Sequence, residues 1–174
     1  MALLAQSYMP AQDMHLVVDP AGKSGSPWFI IAKNRPLRTR RYACQEAFDR
    51  DPAGVWEFHN YRRGLVAACA PNRGHTLIAR APSLGADVTV VTQNIDGLHA
   101  LAGSANILEL HGNLWRVRCD TCKTRQQDAH VQRQQLRCPG CGGWWRPDIV
   151  WFGDYLDDAI LAAAQAAIAR CDLF

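Results

Sequence analysis

The sequence lacks an apolar run long enough to span a membrane, and its first residues lack the basic segment that opens a signal peptide. It also lacks a P-loop, because the glycines of GKSG at 22–25 have no GxxxxGK spacing and Pro27 follows them where a helix would begin. These absences exclude a membrane-spanning protein and a P-loop nucleotide hydrolase. They predict a soluble, cytoplasmic protein with no membrane partner.

Acidic residues are absent from residues 33–41, where five basic residues fall close together. The formal charge of +3 comes from this local run, and the rest of the chain is net negative. Because no aromatic residues are interleaved with these bases, the run favours a solvated tail over a nucleic-acid surface. The five residues are Lys33, Arg35, Arg38, Arg40 and Arg41.

The cysteine count is odd, at seven, which argues against a disulfide framework and for a reducing compartment. Four of the cysteines form two CxxC pairs that are fifteen residues apart, a spacing typical of a structural zinc site. Four thiolates leave no open coordination position, so the metal should hold the fold and do no chemistry. The predicted ligands are Cys119, Cys122, Cys138 and Cys141, and turn glycines at 140, 142 and 143 support them.

The other three cysteines, and the histidine between the two CxxC pairs, are expected to have no role in metal binding. Cys44, Cys69 and Cys171 stand alone and are expected to be small buried hydrophobes. His130, between the two cysteine pairs, is expected to be an exposed loop residue.

Polar side chains follow two apolar stretches in the middle of the chain. The run 87–91, DVTVV, is typical of a strand buried on both faces, and 106–110 is a second apolar stretch. Ligands bind at the carboxyl ends of such strands in open α/β sheets. The sequence therefore predicts one pocket at which Gln93, Asn94 and Asp96 meet His111.

Helical patterns flank these strands. Asp51 and Pro52 predict a helix start, followed by apolar positions at helical spacing up to Cys69, and 71–74 is expected to end that helix. A short helix is predicted at 75–80, with His75 at its start as a capping or packing residue, and an alanine-rich helix at 156–169. Further strands are predicted at 15–19, 28–32 and 148–152 and from Asp172 onward.

These segments predict an α/β fold, a partial Rossmann-like parallel sheet with an inserted four-cysteine zinc-binding module. Four stretches together resemble the sirtuin family of NAD-dependent protein-lysine deacylases: TQNIDGLH at 92–99, ELHG at 109–112, the four cysteines, and RPDIVWFGD at 146–154. Their order and spacing match those of the family. The resemblance covers residues 46–174, with the zinc module at about 114–146, and leaves 1–45 unmatched.

The resemblance implies a role for each matched residue. His111 would act as general base toward a ribose hydroxyl of the co-substrate NAD, and a largely neutral imidazole suits that role. Gln93, Asn94 and Asp96 would line the ribose and nicotinamide pocket. An acyl-lysine peptide would pair with the segment that contains Val150, Phe152 and Gly153, and one structural zinc would be bound.

Departures from the family pattern carry their own expectations. No GAG-type glycine turn with its arginine occurs in 1–45, and no GTS-type motif follows the CDLF at 171–174. The sequence therefore predicts weak NAD binding and slow turnover or none, as for a frameshifted or truncated gene product. In the acyl pocket, His59 and Arg62 stand where relatives that remove acidic acyl groups have a YxxR pair.

Two other function classes fit parts of the sequence. One is a non-enzymatic, zinc-stabilised module that binds peptides without turnover. The other is a zinc-ribbon protein that binds nucleic acid through the bases of its zinc module, which would show a steep salt dependence. Those bases are Arg116, Arg118, Lys123, Arg125, Arg133 and Arg137.

Overall fold

Two three-stranded sheets and six α-helices make up the part of the chain that the structure describes. The computed structural model describes Ala2–Leu4 and residues 39–173, with side chains from Arg41 onward. The elements are β1 (Ala2–Leu4), α1 (Thr39–Tyr42), α2 (Gln45–Arg50), α3 (Pro52–Ala67), α4 (Arg73–Arg80) with a 3-10 turn at Ala81–Leu84, β2 (Thr89–Thr92), α5 (Leu98–Leu101), β3 (Ile107–Glu109), β4 (Gly112–Cys119), β5 (Arg125–Gln127), β6 (Trp145–Ile149) and α6 (Asp158–Ala169).

The first sheet is parallel, in the order β1-β2-β3, and places β2 at its centre. Val90 of β2 pairs with Leu3 on one side and with Ile107 on the other. Val90 and Val91 are almost fully buried, as the β-branched run predicts for a strand covered on both faces. The second sheet is antiparallel, in the order β5-β4-β6, and carries the cysteines. The predicted α/β fold with an inserted module is confirmed.

Helix α3 begins where the sequence places it. The Asp51 side chain accepts a hydrogen bond from the Gly54 N–H at 2.9 Å, and Pro52 occupies the first turn, where its missing N–H costs nothing. The helix buries more polar side chains than its apolar pattern predicted. His59 and Arg63 are fully inaccessible to solvent, whereas Arg62 is only half-buried.

The hydrophobic core lies between helices α2 and α3 and the antiparallel sheet. Trp56 of α3 is buried against Trp145 of β6, and its indole N–H donates to the Trp145 carbonyl. Phe48 and Trp151 extend the same cluster, and Cys119 closes it on the side of the cysteine module. The core thus joins the helices directly to the elements that carry the predicted zinc ligands.

The strand predicted at 148–152 is displaced, because β6 runs from Trp145 to Ile149. Beyond Ile149 the main chain leaves the antiparallel ladder for two other acceptors. The Val150 N–H donates to the His111 carbonyl and the Phe152 N–H to the Ala43 carbonyl, both at 2.9 Å. The apolar residues at 150–152 therefore lie beyond the end of β6, and their main chain is hydrogen-bonded to two other parts of the fold.

Several helix boundaries also differ from expectation. Helix α4 begins at Arg73, because the Asn72 side chain caps it, so the residues at 73–74 start this helix and do not end α3. His75 caps as predicted, since its Nδ1 accepts the Asn72 N–H. Helix α6 starts two residues late because Asp157 caps it.

Other predicted elements have different outcomes. Asp172 lies in a bend and in no strand, whereas Phe174 and the strands predicted at 15–19 and 28–32 fall outside the described residues. No helix of the described part is long and apolar enough to cross a membrane.

A buried ion cluster ties α3 to the loop that follows β5. Asp128 pairs with Arg63 at 2.7 Å and with Arg133 at 2.9 Å, and the Arg63 and Asp128 side chains have no exposed surface. Burial would raise the pKa of Asp128, but hydrogen bonds from Arg63, His130 and Arg133 hold it at about 2. The Trp56 ring lies near both guanidinium groups, at 5.3 and 5.9 Å.

We expect Asp128→Asn to destabilise the protein by about 3–5 kcal/mol, because it leaves two buried guanidinium groups without a counter-charge. Urea unfolding of the zinc-loaded protein measures the effect. Asp49→Asn is the matched control: this carboxylate is exposed, accepts one hydrogen bond from Gln45, and should change stability by less than about 1 kcal/mol. Equal unfolding midpoints for the two variants would show that the cluster contributes little.

Candidate functional site

The carboxyl ends of β2 and β3 meet, as the sequence predicts. Thr92 and Glu109 pair at the last register position, and the Leu110 N–H donates to the Thr92 carbonyl at 2.9 Å. The pairing carries His111 next to the residues that follow β2. Its Nδ1 lies 3.1 Å from the Gln93 carbonyl oxygen. The structure therefore brings Gln93 against His111, whereas Asn94 and Asp96, on the same loop, line a small pocket with Glu109 in which His111 takes no part.

The contact with Gln93 determines how His111 can act. A carbonyl oxygen only accepts, so Nδ1 must carry the proton in this hydrogen bond, and in the neutral ring Nε2 keeps its lone pair. Partial burial lowers the pKa of His111, while the hydrogen bond to Gln93 raises it in part. The ring is thus held neutral at physiological pH with Nε2 ready to accept a proton, which a general base requires.

The loop after β2 is fixed by its own side chains. The Asn94 N–H donates to the Thr92 hydroxyl at 3.0 Å, and the Asp96 carboxylate accepts the Leu98 N–H at 2.8 Å. Trp115 of β4 donates its indole N–H to the Asp96 carbonyl. Gln93 and Asn94 remain exposed, and it is the main-chain carbonyl of Gln93 that contacts His111.

The segment at 150–153 lies against the catalytic candidate. Its first residue donates its N–H to the His111 carbonyl, so the segment and the histidine share a main-chain hydrogen bond. Gly153 has a φ of +91°, a conformation that favours glycine. A cavity of about 660 Å³ borders Val150 and Gly153 and reaches the start of α6. An extended peptide would therefore have to use backbone groups other than the N–H groups of Val150 and Phe152, which are already engaged.

His59 and Arg62 are placed side by side on α3. The His59 ring stacks on Trp151 with centroids 6.0 Å apart, and neither ring nitrogen has a hydrogen-bond partner among the described residues. Burial lowers the pKa of His59 well below its usual value, and the charges of Arg62, Arg63 and Arg146 lower it further. Burial also lowers the pKa of Arg62, whose guanidinium lies 5.7 Å from the centroid of the Phe58 ring.

The four cysteines of the CxxC pairs form one cluster. Their sulfur atoms lie within 4.8 Å of one another, with Cys119 and Cys141 separated by 3.5 Å and Cys122 and Cys138 by 3.9 Å. A tetrahedron with Zn–S distances of about 2.3 Å places its sulfurs about 3.8 Å apart. The cluster therefore fits one zinc ion with all four positions filled by protein.

The turns around the cluster explain two of the three predicted glycines. Gly142 has a φ of +73°. A Cβ at Gly143 would lie 2.4 Å from the Thr121 hydroxyl and 3.0 Å from the Cys119 sulfur. Gly140 has no such requirement, since its nearest neighbour would lie 3.8 Å away.

The solvent exposure of His130 and of the three isolated cysteines can also be compared with expectation. His130 is exposed, as expected, but its Nδ1 lies 2.7 Å from Asp128. Cys44, Cys69 and Cys171 are half-buried, not buried as expected.

The sequence did not single out Arg146, which is buried beneath the segment at 150–154 and pairs with Asp154.

The six bases of the proposed nucleic-acid surface are largely neutralised. Arg116 pairs with Asp148 and Glu109. The four others with an acidic partner are Arg118 with Asp154, Lys123 with Asp120, Arg125 with Asp148 and Asp157, and Arg133 with Asp128. Arg137 stacks on Trp144 at 3.5 Å from the ring centroid. This arrangement does not favour phosphate binding, which needs unpaired positive charge on one face.

The fold and site define a class of α/β protein with polar residues at the carboxyl ends of its parallel strands and a four-cysteine metal module. Residues 34–174 match the Sir2 family model, and residues 1–50 match a domain of unknown function. The chain belongs to the Sir2 family.

Relatives and solved structures agree with this membership. The chain is 40% identical over 176 residues to NAD-dependent protein deacylase 1 of Caldanaerobacter subterraneus subsp. tengcongensis, covering 95% of this chain and 72% of that protein. It is 37% identical over 197 residues to the mitochondrial NAD-dependent protein deacylase sirtuin-5 of Canis lupus familiaris, covering 94% and 64%. A crystal structure of a Sir2 homologue–NAD complex superposes with a TM-score of 0.70 at 36% identity, covering 76% of this chain and 53% of that one.

We expect one zinc ion per purified chain, bound by the four clustered cysteines. Cys138→Ser should lose the metal and unfold at least the module, because metal binding supplies folding free energy here. Elemental analysis and thermal unfolding measure both effects. Cys171→Ser is the control, since this thiol lies outside the cluster and a hydroxyl can keep its hydrogen bond to the Ile168 carbonyl. A Cys138→Ser protein with unchanged zinc and stability would contradict the assignment.

Proposed function

We propose that this chain is an NAD-dependent protein-lysine deacylase that transfers the acyl group to ADP-ribose with release of nicotinamide. The observation that supports it is the position of His111, whose Nδ1 is bound to the Gln93 carbonyl while Nε2 is left to accept a proton. The Sir2 membership and the deacylase names of its relatives support the same activity. The chain spans 53–72% of the length of the three proteins compared above.

The described residues fit the ribose and nicotinamide end of a dinucleotide. Gln93 and Asn94 present exposed amides, which can donate and accept hydrogen bonds, and Asp96 lies half-buried beside them. NAD supplies, when bound, the ribose to which the acyl oxygen of the substrate adds as nicotinamide leaves. In this proposal His111 Nε2 removes a proton from a ribose hydroxyl, and the Gln93 carbonyl stabilises the ring as it becomes charged.

The substrate peptide is proposed to dock along the segment that contains Val150, Phe152 and Gly153. This segment lies against His111, to which its first N–H is hydrogen-bonded, so a bound acyl-lysine would be near the base. Phe152 is 43% exposed, and Gly153 is exposed and lines the cavity. Docking by strand addition would use main-chain groups and would depend little on the peptide sequence.

The acyl group is proposed to enter toward His59 and Arg62. The two imidazole nitrogens of His59 have no partner among the described residues, and such buried polar atoms normally find one. Arg62 adds a half-buried positive charge on the same helix. This pair suits an acyl chain that carries a hydrogen-bond acceptor or a carboxylate.

The zinc is proposed to be structural. Its four ligands leave no open position, and Cys119 and Cys138 belong to the hydrophobic core that also contains Trp151. The metal would therefore hold the segment at 150–153 in place from a distance. Free thiols such as these persist under reducing conditions, and we infer a cytoplasmic protein on that ground.

His111→Ala should lower the rate of NAD-dependent lysine deacylation by about a hundredfold to ten-thousandfold, because the general base is removed. Mass spectrometry of an acetyl-lysine peptide incubated with NAD measures the rate. His130→Ala is the matched control, since His130 is 78% exposed and should leave the rate near that of the unmodified chain. Comparable rates for the His111 and His130 variants, with zinc content intact, would show that the base lies elsewhere.

A further inference from the structure

Arg146 is a buried charge that the proposed chemistry does not use. Its side chain is 2% exposed, and its guanidinium stacks 3.6 Å from the centroid of the Trp151 ring. Nη2 donates to the Asp154 carboxylate at 2.7 Å and lies 3.4 Å from the Ile149 carbonyl. Nη1 donates to the Gln45 side chain. A buried arginine with this many directed contacts fixes the positions of the groups around it.

Asp154 passes this constraint to the main chain of the segment above it. Its Oδ2 accepts the Trp151 N–H at 3.2 Å in addition to the Arg146 contact. Its own N–H donates to the Trp151 carbonyl at 3.0 Å, which closes a turn over residues 151–154. Gly153 occupies the third position of this turn with a φ of +91°. The Asp154 carboxylate therefore helps to fix the main-chain conformation of the turn that contains Phe152 and Gly153.

The same arginine is also linked to the cysteine module. Gln45, which accepts from Arg146, donates its amide N–H to the Asp120 carboxylate at 3.3 Å. Asp120 lies between the first two cysteines of the cluster, and its N–H donates to the Trp144 carbonyl. A continuous set of hydrogen bonds thus runs from the first CxxC turn through Gln45 and Arg146 to the turn at 151–154.

We propose that Arg146 and Asp154 form a latch that positions the peptide-docking turn at 151–154. The inference rests on the proposed function, because it concerns the segment to which the acyl-lysine peptide is assigned. Arg146 acts through its contact with Asp154, and the proposed chemistry gives it no part at the reacting atoms, so it is a positioning residue. With the latch formed, the edge at Phe152 and Gly153 is ordered before the peptide arrives. Less conformational entropy is then lost on binding.

Arg118 provides an internal comparison. Its Nη2 approaches the same Asp154 oxygen at only 3.8 Å, beyond hydrogen-bond range, and its side chain is 29% exposed. Both arginines contribute positive charge near Asp154, but only Arg146 also stacks on Trp151. A latch predicts that Arg146 matters and Arg118 does not. A general need for positive charge near Asp154 predicts similar effects for both.

The test compares Arg146→Gln, Asp154→Asn and Arg118→Gln in the full chain loaded with zinc. Two quantities are measured: the affinity for a fluorescein-labelled acetyl-lysine peptide, by anisotropy, and amide hydrogen exchange of the segment 150–155, by mass spectrometry. Asp154→Asn tests the same contact in case Arg146→Gln fails to fold. The Asp154 side chain is 21% exposed, and asparagine has a similar volume. Zinc content and the exchange of β2 are recorded as checks on the fold.

We expect Arg146→Gln and Asp154→Asn each to weaken peptide binding by about tenfold to a hundredfold, as loss of a hydrogen bond to a charged group does. Exchange in 150–155 should speed up by a similar factor, with zinc and β2 unchanged, while Arg118→Gln behaves as the unmodified chain. Unchanged exchange in both latch variants would overturn the proposal, as would faster exchange with full peptide affinity.

The two failures are distinguishable. An unmodified chain that does not bind the peptide refutes the docking part of the proposed function, and the latch as a peptide-positioning device falls with it. An unmodified chain that binds the peptide, with Asp154→Asn and Arg118→Gln binding equally well, refutes the latch alone.

Discussion

The backbone of Gly112 passes so close to Asp148 that no side chain fits between them. A Cβ at Gly112 would lie 2.1 Å from the Asp148 carbonyl oxygen, and its φ is +76°. At this step the chain passes from the parallel sheet into the antiparallel one, and the close approach is part of the pairing of β4 with β6. It also fixes the preceding residue, His111, between the Gln93 carbonyl on one side and the Val150 N–H on the other. The candidate base and the candidate peptide segment are therefore positioned by one backbone contact.

The rest of the structure makes that contact rigid from two directions. The cysteine cluster joins the ends of β4 and β6, whose pairing carries Gly112 and Asp148. The ion pair of Arg63 with Asp128 attaches α3 to the far side of the same module, and α3 also carries His59 and Arg62. Neither device takes part in the proposed chemistry. Both attach the elements that carry the candidate acyl pocket, the candidate base and the proposed docking turn to one core, and catalysis by positioning would require such a support.

Local features could be predicted from the sequence and long-range ones could not. The Asp51 cap and the cysteine cluster depend on spacings of a few residues, and the meeting of Gln93 with His111 follows from a general rule of parallel sheets. The end of β6 depends on carbonyl acceptors at Ala43 and His111, which are far away in the chain. The strand predicted from the apolar run at 148–152 is therefore wrong at both ends. The partners of Arg63 and Arg146 are equally invisible, since a buried charge and a solvated one look alike in a sequence. The roles of the site residues stay predictions.

The central claim is that the edge formed by β2, β3 and the segment at 150–153 carries out NAD-dependent deacylation. Its most direct test is the stoichiometry of products when the purified, zinc-loaded chain is mixed at high concentration with NAD and an acetyl-lysine peptide, followed by mass spectrometry. The account predicts that nicotinamide, deacetylated peptide and acetylated ADP-ribose appear in equal amounts, and that none forms when either NAD or peptide is left out. Deacetylated peptide formed without NAD, or nicotinamide released without peptide, would contradict it.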